Sequence, residues 1–174
     1  QFNLSAINKK VQRLCREQKP DIIHCRSYMA ALIGLKVKQK YGLKFIFDMR
    51  GFWADERIDG QIWSMKNKIH KRIYSFFKKQ EIAFLDHADY TISLTENAKK
   101  EIHSWKTLQK QPVPIQVIPC CADLDLFSPA SVDPEKIKQL KTELHISDND
   151  FVISYLGSIG TWYMLDEMLD FFSC

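Results

Sequence analysis

An alternation constrains this chain more than any other feature. Short β-branched or aromatic runs, too brief to be helices, take turns with longer segments whose apolar residues recur every three or four positions. "DIIHC" at 21–25, "KFIFD" at 44–48, "DYTISL" at 89–94, "PIQVIP" at 114–119 and "FVISYLG" at 151–157 read as strands. Between them, Leu4, Ile7, Val11 and Leu14 mark a helix that ends near Lys19, because the residue before Pro20 is pushed out of the α region. Residues 27–41 form the next helix, stopped by Gly42. Further helices are predicted over 62–86, from Thr95 through Asn97 to Ile102, and over "PEKIKQLKTEL" at 134–144. Strands alternating with helices specify an α/β fold: a Rossmann-like parallel sheet with helices on both faces.

Composition narrows the function classes. The net charge of +4 over 174 residues is too small to imply general nucleic-acid affinity. Five cysteines without a C-x-x-C spacing suggest neither a disulfide framework nor a zinc site, and fit a reducing cytoplasmic setting. No apolar run approaches the ~20 residues of a membrane span, so any membrane contact is expected at a surface. Cys25 follows a histidine, as the nucleophile of a phosphatase loop does, but the phosphate-clamping arginine is missing at Ala31 and residues 26–30 hold no glycine. A buried, inert Cys25 at the end of a strand is expected instead.

The chain opens on a helix and stops about three turns into another, which suggests a piece of a longer protein. The Pro- and Ser-bearing segment at 128–134 suggests a boundary, with one domain over 1–128 and the start of a second over 129–174.

Five stretches, "PDIIHCRS", "FDMRGFWADER", "HADYTISLTENAKKEI", "VIPCCADLDLFSP" and "VISYLGSIGTWYMLDEML", resemble in order and spacing the retaining glycosyltransferases of family 4. The most specific are the strand and helix of "ADYTISLTENAKKEI" and the "VIPCCADLDLFSP" block. The resemblance implies a GT-B architecture, two Rossmann-like domains facing each other across a cleft. The N-terminal domain would hold a polysaccharide, lipid-linked or other glycan acceptor, and the C-terminal domain a nucleotide-sugar. It also implies sugar transfer with retained anomeric configuration, no metal and no cofactor beyond the nucleotide-sugar, and a role in building the cell envelope. The present chain would be a fragment, inactive alone and prone to self-association, lacking the first acceptor-domain strands and most of the donor domain.

Within this resemblance, Gly157, Ser158, Gly160 and Thr161 form a glycine-bearing turn before a helix, suited to a donor diphosphate. Many relatives carry an arginine after the first glycine, where this chain has Ser158. Arg50, Asp55 and Glu56 follow a strand's carboxyl end, where ligands bind in doubly wound folds, and are the candidate catalytic residues. Arg50 stands where the family often has histidine; permanently protonated, it suits phosphate rather than base chemistry. His24, Arg26 and Asp123 are assigned to the cleft. Cys120 and Cys121 replace a common Asn-Gly pair. Lys66, Lys68, Lys71, Arg72, Lys78 and Lys79, on a helix with the apolar residues Ile69, Ile73, Phe76 and Phe77, make a candidate surface for an anionic membrane. The alternatives are a non-catalytic Rossmann-like binding module and a GT-B sugar-nucleotide epimerase.

Overall fold

The computed structural model describes residues 3–159 and 164–173. They fall into two compact units, Gln1–Pro119 and Cys120–Cys174.

In the first unit the order is α1 (Leu4–Gln18), β1 (Ile22–Arg26), α2 (Ser27–Tyr41), β2 (Lys44–Asp48), α3 (Trp53–Asp59), α4 (Lys68–His87), β3 (Tyr90–Ser93), α5 (Glu96–Ser104) and β4 (Ile115–Val117). The four strands pair in parallel in the order β1-β2-β3-β4, with His24 beside Ile46 and Ile46 beside Tyr90. This is the α/β, Rossmann-like architecture that the alternation predicts. Strand ends and helix caps follow local chemistry. Lys19 closes α1 in the left-handed region, and Gly42 closes α2 at φ 71°, a conformation that costs glycine little.

Burial is unequal on the two sets of alternating strand residues. Cys25, Phe45, Phe47, Thr91, Ser93 and Ile115 are buried, with α2, α4 and α5 packed on the strands. Ile22, His24, Lys44 and Tyr90, on the alternate set, are exposed. The main core joins Tyr28, Phe45, Phe47, Phe84, Leu85 and Ile102; the ring centroids of Phe47 and Phe84 are 5.2 Å apart. Cys25 sits in this core, its Sγ where a Cβ on Gly34 would stand, so Gly34 lets α2 approach β1. Burial pushes the Cys25 thiol up to about 11, which removes the thiolate a nucleophile needs.

In the first unit two helices differ from the sequence expectation. The loop expected after β2 contains α3, favoured by Asp55 and Glu56 in its first turn, where carboxylates meet the positive end of the helix dipole. The helix expected over 62–86 begins only at Lys68, where the Asn67 side chain accepts hydrogen bonds from the Ile69 and His70 N–H groups.

The second unit holds a 3₁₀ turn (Pro129–Ser131), α6 (Pro134–Glu143) and α7 (Leu165–Ser173). The predicted strand "FVISYLG" does not form: residues 151–157 lie outside regular structure, and this unit's described residues offer no strand to pair with. Of the four cysteines described, Cys15 and Cys25 are buried, Cys120 and Cys121 are exposed, and none forms a disulfide.

Candidate functional site

A cavity of about 1000 Å³ opens in the first unit where β2 and β3 end. The chain leaving β2 contributes Arg50, Gly51 and Phe52, and the chain leaving β3 contributes Leu94 and Thr95. Parallel strands all end on the same edge, and the diverging helices leave a crevice there. Thr95 also starts α5, its hydroxyl accepting from the Ala98 N–H at 3.1 Å.

The three candidate catalytic residues, Arg50, Asp55 and Glu56, all line this cavity. Arg50 takes φ 64°, uncommon for a residue with a Cβ, and its exposed guanidinium makes no ion pair among the described residues. Pairing with Asp55 or Glu56 is not what holds it. A Cβ on Gly51 would fall 2.3 Å from Glu56 Oε1, so glycine there lets the carboxylate lie against the loop.

Asp55 is gripped from two sides. The Tyr74 hydroxyl donates to its Oδ1 at 2.7 Å, and Lys78 Nζ donates to its Oδ2 at 2.8 Å. Lys78 also bonds Glu81, which is wholly buried and receives the Tyr28 hydroxyl as well. Burial raises the Glu81 carboxyl above its ordinary range, while hydrogen bonds from Lys78 and Tyr28 pull the other way. For Lys78, burial favours the neutral amine, but the bonds to Asp55 and Glu81 outweigh it and the net shift is upward. Lys78 therefore remains an ammonium, 4.9 Å from the Trp105 ring centroid and 5.9 Å from that of Phe52. Tyr28 is raised by burial and by the Glu81 charge beside it, so both phenols stay protonated donors.

Of the other residues assigned in the first unit, neither His24 nor Arg26 lines this cavity. His24 and Arg26 lie exposed on β1, with His24 Nε2 3.4 Å from Asp48 Oδ2. Asp123, in the second unit, accepts from the Asp125 and Leu126 N–H groups and so builds a turn. Gly157 and Ser158 form a tight bend: Tyr155 donates to the Ser158 carbonyl at 2.7 Å, and a Cβ on Gly157 would meet the Tyr155 hydroxyl at 2.7 Å. Gly160 and Thr161 lie outside the described residues.

The basic surface of α4 needs two corrections. Lys66 lies in the turn before the helix, which begins only at Lys68. Lys78 turns inward to Asp55 and Glu81 and is not part of an outer face; Lys68, Lys71, Arg72 and Lys79 line a shallow groove there with Phe76. The apolar residues divide likewise: Phe77 is buried, whereas Ile69 is 67% exposed and Phe76 46%. Sequence reasoning missed Tyr28, Tyr74, Lys78 and Glu81 as parts of the site. The available signal was Glu81, the first acidic residue after Trp63 in a basic stretch, three positions beyond Lys78.

A parallel sheet flanked by helices, with a cavity at its strand ends, is a Rossmann-like α/β domain. The family model of Glycosyltransferase Family 4 matches residues 2–126, and the chain belongs to that family. No curated protein matches the sequence. Among the described residues no helix is long and apolar enough to cross a membrane, and no group of metal-ligating side chains occurs.

Proposed function

We propose that this chain holds most of the acceptor domain and the start of the donor domain of a retaining, GT-B glycosyltransferase that moves a sugar from a nucleotide-sugar to a glycan or lipid-linked acceptor. The observation that carries this reading is the cavity beyond β2 and β3, which gathers Arg50, Asp55 and Glu56. Asp55, oriented by Tyr74 and Lys78, accepts a hydrogen bond from an acceptor hydroxyl and fixes its direction. Arg50, whose guanidinium is free at the cavity, meets the phosphate that departs from the donor sugar; this steadies the charge that grows as the glycosidic bond breaks. The second unit begins the donor domain, with the Gly157–Ser158 bend belonging to its diphosphate loop. The outer face of α4, where Ile69 and Phe76 stand among Lys68, Lys71, Arg72 and Lys79, docks the enzyme on an anionic membrane carrying a lipid-linked acceptor. Co-sedimentation with anionic vesicles that survives Ile69→Asp and Phe76→Asp would rule out that docking.

The central test uses the enzyme encoded by the unbroken reading frame. Arg50→Lys keeps the charge but loses the bidentate fork, and should lower turnover by more than about tenfold while stability stays within about 1 kcal/mol. Full activity of Arg50→Lys with every donor and acceptor tried would remove Arg50 from the reaction.

A further inference from the structure

The walls of the cavity are unbalanced in charge. Five carboxylates, those of Asp55, Glu56, Asp59, Glu81 and Glu101, line it against two cations, Arg50 and Lys78. Lys78 is already taken up by Asp55 and Glu81. Among the described residues Glu56 and Asp59 form no ion pair, so Arg50 alone offers a free positive charge there.

Part of the remaining wall is aromatic, beside Ile82, Leu94 and the polar side chains of Ser93, Thr95 and Asn97. The rings of Phe52 and Trp105 lie 5.7 Å apart, and Glu101 fixes the indole by accepting its Nε1–H at 2.9 Å. Carboxylates only accept hydrogen bonds, so they suit a ligand rich in hydroxyl donors. An aromatic face, negative at its centre, suits the weakly positive C–H face of a pyranose.

Resting on the glycosyltransferase reading above, we propose that the cavity selects an uncharged, hydroxyl-rich sugar ring as acceptor, stacked beside Trp105 and Phe52, and discriminates against acceptors that carry a carboxylate or phosphate on that ring. Unpaired Glu56 and Asp59 supply the discrimination, since like charges facing each other across a binding site suppress the wrong partner. Arg50 does not cancel it, because among the described residues the two unpaired carboxylates outnumber this single free cation, with or without a donor phosphate on the guanidinium.

The test is a titration of the 174-residue chain, followed through the Trp105 indole N–H signal in NMR spectra. The probes are methyl hexosides and methyl N-acetylhexosaminides, matched against hexuronic acids and hexose 6-phosphates at constant ionic strength. At least one neutral glycoside should shift the Trp105 signal saturably, and its anionic counterpart should bind at least about tenfold more weakly. The exposed substitutions Glu56→Gln and Asp59→Asn, combined, should narrow the ratio of neutral to anionic affinity, whatever change they make in the neutral ligand's own affinity. Anionic sugars binding as tightly as neutral ones, or no neutral glycoside moving the Trp105 signal, would overturn the proposal. Either failure stays distinct from failure of the transferase reading, which is judged by sugar transfer from a nucleotide-sugar in the enzyme from the unbroken reading frame.

Discussion

"KFIFD" and "FVISYLG" are the same kind of sequence, a short aromatic and β-branched run leading into a glycine-bearing loop, yet they end in opposite states. The first becomes β2, hydrogen-bonded to strands on both sides, with Phe45 and Phe47 fully buried. The second forms no strand, and Phe151 and Leu156 are 84% and 99% exposed. Local propensity is therefore not what separates them. A strand's N–H and C=O groups need neighbouring strands, and its apolar face needs a packed layer; β2 has both, and residues 151–157 have neither in their own unit.

The sharpest way to break the comparison is to remove what β2 has. Phe47 touches Tyr28, Phe45 and Phe84 with ring centroids 5.2–6.4 Å away. Phe47→Ala removes the ring that the other three share and leaves a cavity in the core, so it should cost about 3–5 kcal/mol. Urea unfolding followed by near-ultraviolet circular dichroism of the first unit measures this. A loss below about 1 kcal/mol would mean that β2 is not the centre of the core.

Legibility in the sequence follows the same division. Where a local signal and tertiary packing agree, the element is readable: Gly42 ends α2 at the expected place, β2, β3 and β4 fall within the predicted runs, and β1 overruns its own only by Arg26. α3 was hidden because its seven residues carry too little periodicity to separate them from a loop. Arg50, Asp55 and Glu56 were legible because a strand end announces a crevice. Lys78 was misread as a surface cation because pattern alone does not reveal that a buried Glu81 and Asp55 wait for it on the inner side of α4. The strand predicted over 151–157 does not form, because propensity carries no information about pairing partners.

Asp89 sharpens the comparison from the other side, since it staples the start of β2. Its Oδ2 accepts from the Phe45 N–H at 2.8 Å and from Lys38, and its Oδ1 accepts from Lys44 Nζ at 3.3 Å. Partial burial raises its pKa, but the Lys38, Phe45 and Lys44 hydrogen bonds outweigh that and bring it down to about 2. A carboxyl whose pKa is lower folded than unfolded stabilises the fold above its unfolded value, and the contribution is lost as pH falls through the folded one. Stability should therefore decline as pH drops from about 4 to about 2. Because the group is partly solvated, the effect is on the order of 1 kcal/mol. Asp89→Asn should remove a similar amount at neutral pH and flatten the acid limb. An unchanged acid limb in the variant would show that the stability loss arises at other carboxylates.

The smallest effect is expected at the other member of the pair. Leu156 is nearly fully exposed and Phe151 almost as much, so neither buries apolar area that a substitution could forfeit. Leu156→Ser should therefore leave the unfolding free energy within about 0.5 kcal/mol of the parent chain, the range of surface changes. The backbone should behave consistently: without ladder hydrogen bonds, amides 151–157 should exchange with solvent far faster than those of β2. Both outcomes depend on residues 151–157 lacking a strand partner, and two chains brought together could supply one by pairing their free edges. The experiment is therefore run across protein concentration. If Leu156→Ser becomes destabilising and the amides become protected only at high concentration, the run is a strand in waiting that pairing completes. If both hold at every concentration, residues 151–157 are strand-forming within a single chain, and the contrast with β2 fails.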